Sequence, residues 1–367
     1  MGIIATRRNI LAGMGATTVG ALAAPYIIRP AFAQSKELNV WSYSGFITDD
    51  FKGKFEADTG ITVNIRPVTD QGEQFNLMVA ENGNHSADIV CCAGHRFYQF
   101  VDKDLLAPID MNKLTNWNKL DESIANAKWV SRRDQIWGVP IVLVSTGLLY
   151  NKDVAATEPE SWSVMFDEAN IGKTTYQIQD FYQIVMNYLG YDGSAASYQG
   201  DTQKAQDAVN ATRDFLIQHK DKVRRYYDAA TEIQQMFVNG DADYAQAGSG
   251  PAAQIIQEGF SAGYTIPKEG GLAYAYGFNV TKGAKNTDNA YLFLNALLSS
   301  PENGAAIVSA TGYSSTIKGT DALLNDAQRE ALGLTPEETA RLNWVDVETA
   351  PFIYDLIDKA AEEIRAA

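Results

Sequence analysis

The sequence has little cysteine, little histidine and no surplus of positive charge. Its two cysteines, Cys91 and Cys92, are chain neighbours, and a bridge between neighbours would be badly strained, so no disulfide framework holds this chain. They close the apolar run 87–92 and read as small buried hydrophobes. His85, His95 and His219 are scattered, and no Cys/His set has metal-ligand spacing. Lys and Arg number 30 against 45 Asp and Glu, a formal net charge of −15. So acidic a chain is a poor partner for nucleic acid or an anionic membrane. After the amino-terminal segment, no stretch is long and apolar enough to span a bilayer. The sequence also lacks G-x-S-x-G, H-E-x-x-H and P-loop patterns, internal repeats and low-complexity tracts. These absences count against an enzyme and against a structural array, and nothing in the chain calls for a metal or a cofactor.

What is present begins with an export signal. Arg7 and Arg8 precede a weakly apolar, Gly/Ala-rich run, which ends in the small-x-small pattern Ala31-Phe32-Ala33. Thr6-Arg7-Arg8-Asn9-Ile10-Leu11 resembles a twin-arginine signal. Residues 1–33 are therefore expected to be removed. The roughly 330 that remain exceed what one compact core usually holds, so two domains are expected.

The mature part opens with alternating residues 37–43, a strand, followed by a helix starting near Thr48 and stopped by Gly60. Residues 61–65 form a second strand, 72–81 a helix and 87–92 a third strand. This β-α-β-α-β order implies a mostly parallel sheet with covering helices. Further strands are expected in 136–144, broken by Pro140, in 148–151, in 174–178 and in 243–247. Helices are expected after 178, with Phe181, Ile184, Val185 and Tyr188 on one face, and over 201–219, 232–239, 251–258, 287–298 and 302–308. Ser249 is expected to cap the helix at 251. The tail 336–367 reads as helical, with a break near Ala350-Pro351. No Pro/Ser/Gly-rich linker divides the chain into consecutive halves, which suits two lobes that exchange strands, crossing after Val144 and in the segment 270–278.

Several segments, in order, carry a family likeness. Phe55-Glu56-Ala57-Asp58-Thr59-Gly60-Ile61-Thr62-Val63, Ala87-Asp88-Ile89-Val90, Lys113-Leu114-Thr115-Asn116-Trp117-Asn118-Lys119-Leu120-Asp121 and Ile136-Trp137-Gly138-Val139-Pro140 come first. Leu189-Gly190-Tyr191, Pro267-Lys268-Glu269-Gly270-Gly271 and Thr311-Gly312-Tyr313 complete the series. Together they resemble the spermidine/putrescine-binding subset of bacterial extracellular solute-binding proteins, over nearly the whole mature chain. The resemblance implies an α/β, two-lobe periplasmic-binding-protein-like fold with a hinge and an interlobe cleft. Residues 36–144 plus 277–330 would form one lobe and 145–276 plus 331–367 the other. It implies a periplasmic, monomeric receptor of an ABC importer, which catches a small amine such as a polyamine and hands it to a permease without chemistry.

The resemblance also implies a site. Alkyl-ammonium ligands need ring faces for their methylenes and carboxylates for their charged ends. Family positions fall on Tyr43, Phe46, Tyr274 and Tyr313 as aromatic walls and on Asp180 as an acid. Elsewhere the pattern departs: Gln177, Ala93, His95, Gln246 and Tyr276 stand where the family has polar, acidic or tryptophan residues. Fewer acids leave room for another ligand: a smaller, singly cationic one, a zwitterion, or an anion, such as an amino acid, sulfonate or phosphonate. Arg96, and the backbone of Gly248-Ser249-Gly250 ahead of a helix, could serve such a ligand. Adjacent Tyr226 and Tyr227 keep ferric ion open as a further alternative.

Overall fold

The computed structural model describes residues 36–122, 130–325, 336–344 and 353–367, together with Gln328 and Leu332. The expected export signal at 1–33 and the expected break near Ala350-Pro351 lie outside the described residues.

The first parallel unit forms as the apolar alternation predicts. Strand β1 (Glu37–Ser42) pairs in parallel with β2 (Thr62–Pro67) and with β3 (Ile89–Ala93). Between them runs α1 (Asp49–Thr59), whose end N–H groups and carbonyls are met locally. The Thr48 side chain accepts from Phe51 N, and Gly60 closes the helix at a φ of 69°. Phe51 and Phe55 turn inward and meet the ring of Phe293 edge-on at 5.2 and 5.4 Å. The second helix, α2 (Gln71–Glu81), is capped by Asp70, whose carboxylate accepts from Glu73 N. The short α3 (Phe97–Asp102) follows β3.

Two long strands carry the sheet onward. The first, β6 (Val139–Asn151), follows the small hairpin of β4 (Ser131–Arg132) and β5 (Gln135–Ile136). The periodicity suggested two strands here, 136–144 broken by Pro140 and 148–151, but a single strand of 13 residues forms. Proline lacks the N–H that a central ladder needs. The register shifts between Tyr276 and Gly277 of the facing strand, opposite Pro140, and this irregularity absorbs the missing donor.

Beyond β6 the chain forms β7 (Thr174–Tyr176) and α4 (Ile178–Tyr188), then α5 (Thr202–Gln218), β8 (Val223–Tyr226) and α6 (Ala230–Val238). It continues through β9 (Tyr244–Gly248), α7 (Ser249–Gln257), β10 (Ala262–Thr265) and the second long strand, β11 (Gly271–Val280). Two helices, α8 (Thr287–Leu298) and α9 (Pro301–Thr311), precede the short β12 (Ser314–Ser315). The chain ends with α10 (Pro336–Ala340), β13 (Leu342–Trp344) and α11 (Tyr354–Ala366). Two boundaries differ from expectation. Ile178 belongs to α4 and not to the strand, and Ser249 is the first residue of α7, with Gly248 at the cap. The tail is not wholly helical either, because β13 adds in parallel to β11.

The strand order is β2-β1-β3-β11-β6-β9-β7-β8. One end is parallel and carries β1, β2 and β3; the other carries β7, parallel to both β8 and β9. The antiparallel pair β6 and β11 joins them. The upstream half of β6 faces β11, while its downstream half faces β9 and β10. One apolar cluster packs under β1 and β3 with α1 and α8, through Leu38, Val40, Phe55 and Phe293. Another packs α4, α5 and α11, through Phe181, Tyr182, Leu216 and Ile357. Residues Lys36–Ala367 form one compact unit. No described helix is long and apolar enough to cross a membrane.

Candidate ligand-binding site

Parallel strands present the loops at their carboxyl ends to whatever the fold binds. Here the residues that follow β1, β3 and β7 converge with β11 and with the turn after α9. Tyr43 and Phe46 come from the first of these loops, with ring centroids 5.9 Å apart. Tyr276 of β11 fits between them, 5.0 Å from Tyr43 and 5.3 Å from Phe46. Tyr274 is two residues upstream on the same face of the strand, 5.7 Å from Tyr276. Tyr313, placed by the left-handed turn at Gly312, meets Phe46 edge-on at 6.3 Å. His95, after β3, meets Tyr274 edge-on at 4.5 Å.

Asp180 joins this ring box from the first turn of α4, where Tyr274 hydrogen-bonds to its carboxylate. It sits deep in the protein yet keeps part of its surface accessible, as do Tyr43, Tyr276 and Tyr313. These four side chains are therefore not core filling, and the surface they leave open at this junction is the candidate space for a ligand. Burial raises the Asp180 carboxyl to about 6, against the opposing influence of Arg96 and the Tyr274 hydrogen bond. Burial, then the Asp180 charge, lifts the Tyr313 phenol to about 12. Burial likewise holds Tyr43, Tyr274 and Tyr276 above the usual phenol range. Every phenol in the box is neutral at physiological pH.

Gln246 plays a different part from the rings. It is buried on β9, and its side-chain oxygen accepts from Gln177 N at 3.0 Å and from the Tyr227 hydroxyl at 3.1 Å. It fixes the backbone just before Asp180 and does not form a wall. All eight side chains singled out in the sequence thus gather at this junction, with Gln246 behind the rings. Burial and the neighbouring Arg96 push His95 down to about 3, so it is a neutral ring, and its Nδ1 has no hydrogen-bond partner among the described residues.

Of the groups expected to serve an anion, Arg96 is otherwise engaged. Arg96 makes a two-pronged pair with Asp358 of α11, at 2.9 and 3.0 Å, and lies 5.1 Å over the ring of Tyr354. Gly250 makes room for Tyr313: a Cβ there would stand 2.6 Å from Thr311 O and from Tyr313 Cε1. Gly250→Ala is accordingly expected to displace Tyr313. The cost should be about 1–3 kcal/mol of stability, with weaker ligand binding, as read by thermal melting and titration calorimetry. The Tyr226-Tyr227 pair does not converge on one point. Tyr226 packs on Tyr176 at 5.3 Å, and the Tyr227 hydroxyl is held by Gln246. No group of three or more His, Cys, Asp or Glu suited to a metal ion occurs among the described residues.

Sequence reasoning expected a helix in the tail but missed that α11 packs against the site. Tyr354 lies 5.7 Å from His95 and donates to Gln183, while Asp358 neutralises Arg96. Nothing in the amphipathic pattern of the tail shows which distant loop it will meet.

A model of the bacterial extracellular solute-binding protein family matches residues 51–331. The chain belongs to that family of extracellular binding proteins. It is 27% identical over 330 residues to the putrescine-binding periplasmic protein PotF of Escherichia coli (strain K12), covering 84% of this chain and 85% of that one. It is 26% identical over 358 residues to a putrescine/agmatine-binding protein of Pseudomonas aeruginosa, covering 91% and 92%. Among solved structures, a putative spermidine/putrescine ABC transporter from Listeria monocytogenes superposes with a TM-score of 0.77 at 24% identity, covering 90% of this chain and 99% of that one. At that identity the likeness concerns the fold, a two-lobe α/β architecture.

Proposed function

We propose that this protein is the periplasmic solute-binding component of an ABC importer, and that it captures a small amine, of which the polyamines are the model. The observation that carries this reading is the deep carboxylate of Asp180, walled by neutral aromatic rings. An ammonium group is met there by one compensating charge and by ring faces, while the rings cover its methylenes. The relatives named for putrescine support the same class. The protein acts as a monomer and performs no chemistry. Its two halves, joined by β6 and β11, swing together over the solute and present a fixed surface to the permease. The pairing of Arg96 with Asp358 removes the cation that an anionic ligand would need, and no observation favours ferric ion.

A thermal-shift series tests the proposal. Putrescine, cadaverine, agmatine and simple monoamines are each added to the purified protein, with glucose and sulfate as controls. A ligand at one hundred times its Kd stabilises the folded state by about 2.7 kcal/mol, which appears as a rise in Tm. Absence of any rise with every amine would remove the reading.

A further inference from the structure

We infer that the solute carries one positive charge and no other: a single ammonium held at Asp180, with an uncharged far end among the phenols. This rests on the amine reading above and narrows it.

The charges around the space lead to it. Asp180 is the one carboxylate, among the described residues, whose charge acts on Tyr274, Tyr276 and Tyr313 alike. Arg96 and Asp358 cancel each other as a two-pronged pair. His95 is neutral, and so are Tyr43, Tyr274, Tyr276 and Tyr313. Among the described residues, these groups therefore sum to one net negative charge around the space. A single ammonium balances it. A second ammonium, at the other end of a diamine, would lie among neutral hydroxyls with no counter-charge, and an unpaired buried charge is costly. A carboxylate at that end would restore a net negative charge to a site where Arg96, the nearby cation among the described residues, is already bound to Asp358. A hydroxyl or amide suits phenolic partners, which both donate and accept.

Asp70 is the carboxylate closest to an exception. Its charge reaches Tyr43. It is exposed, however, and it accepts from Glu73 N at 2.7 Å as the cap of α2. It lies at the outer edge of the box, in water.

Titration calorimetry on the intact protein tests the inference with four ligands of one chain length: 1,4-diaminobutane, butylamine, 4-amino-1-butanol and 4-aminobutanoate. The aminoalcohol is expected to bind at least tenfold tighter than the diamine and the amino acid. Asp70→Asn, which keeps a good helix cap, should leave all four affinities unchanged. Tyr276→Asp, which adds a second carboxylate beside Tyr43 and Tyr274, should move the preference at least tenfold toward the diamine. A diamine that binds the unaltered protein as tightly as the aminoalcohol overturns the inference while leaving amine capture intact. So does tighter binding of 4-aminobutanoate, or a tenfold loss of diamine affinity in Asp70→Asn. Failure of all four ligands to bind would take both readings down together.

Discussion

Asp180→Asn should abolish amine binding and, at the same time, make the ligand-free protein harder to melt. The two effects have one origin. The carboxylate is nearly isosteric with the amide, so the rings around it need not move. What disappears is the charge that meets the ammonium, and truncating one side of a buried, hydrogen-bonded charge pair costs about 2–5 kcal/mol, roughly 30-fold to more than 1,000-fold in Kd. In the absence of ligand the same charge is a burden. Burial raises the Asp180 carboxyl from 3.8 to about 6. A carboxyl whose folded pKa lies above its unfolded value is no burden below the unfolded value. It loses stability as pH rises through the folded one. A shift of this size corresponds to at most about 3 kcal/mol, reached in full above about pH 6. The amide carries no such penalty. The variant should therefore melt a few degrees higher than the parent at pH 7.5, and the difference should fade as pH drops toward 4. Paired melting curves across pH, with and without the best amine, measure both effects. A variant that loses binding and also melts lower at pH 7.5 would mean that Asp180 is a structural support for α4.

How far the sequence carried this description depends on the range of each interaction. Alternation and caps are local, so β1, α1 with its Thr48 cap and Gly60 stop, and β3 were legible from their own residues. The single long β6 was not, because Ser145-Thr146-Gly147 reads as a gap between two apolar runs unless their pairing with β11 and β9 is known. The same limit applies at the site. The family resemblance singled out Tyr43, Phe46, Asp180, Tyr274 and Tyr313, and the fold brings them within ring contact or hydrogen-bond reach of one another. It could not say that Arg96 is neutralised by Asp358, 262 residues away. Nor could it say that Gln246 spends its carbonyl on Gln177 and Tyr227. Both decide the charge and shape of the space. Both are tertiary contacts, invisible to spacing and periodicity.

The affinity for an amine should be flat from pH 8 down to about pH 7, and should then fall with a limiting slope of tenfold per pH unit once the medium is more acid than about pH 6. An ammonium is held by the carboxylate and not by the carboxylic acid, so the proton and the solute compete for Asp180. With the group near 6 in the free protein, binding at pH 5 should be about tenfold weaker than at pH 8, and at pH 4 about a hundredfold weaker. The other titratable groups facing Asp180 do not confuse this window. Tyr274, Tyr276, Tyr313, Tyr227 and Tyr354 are all held above the phenol range by burial. His95 titrates near 3, and Arg96 remains a guanidinium throughout. The solute itself keeps its proton, because alkyl-ammonium groups lose it only near pH 10. Calorimetry in two buffers of different ionisation enthalpy adds a direct count. Binding at pH 6 should release about half a proton per solute, as the occupied carboxylate gives up what it held. The Asp180→Asn protein, if any residual affinity can be measured, should show neither slope nor release. A slope that survives in that variant would assign the titration to another group, and with it the grip on the ammonium.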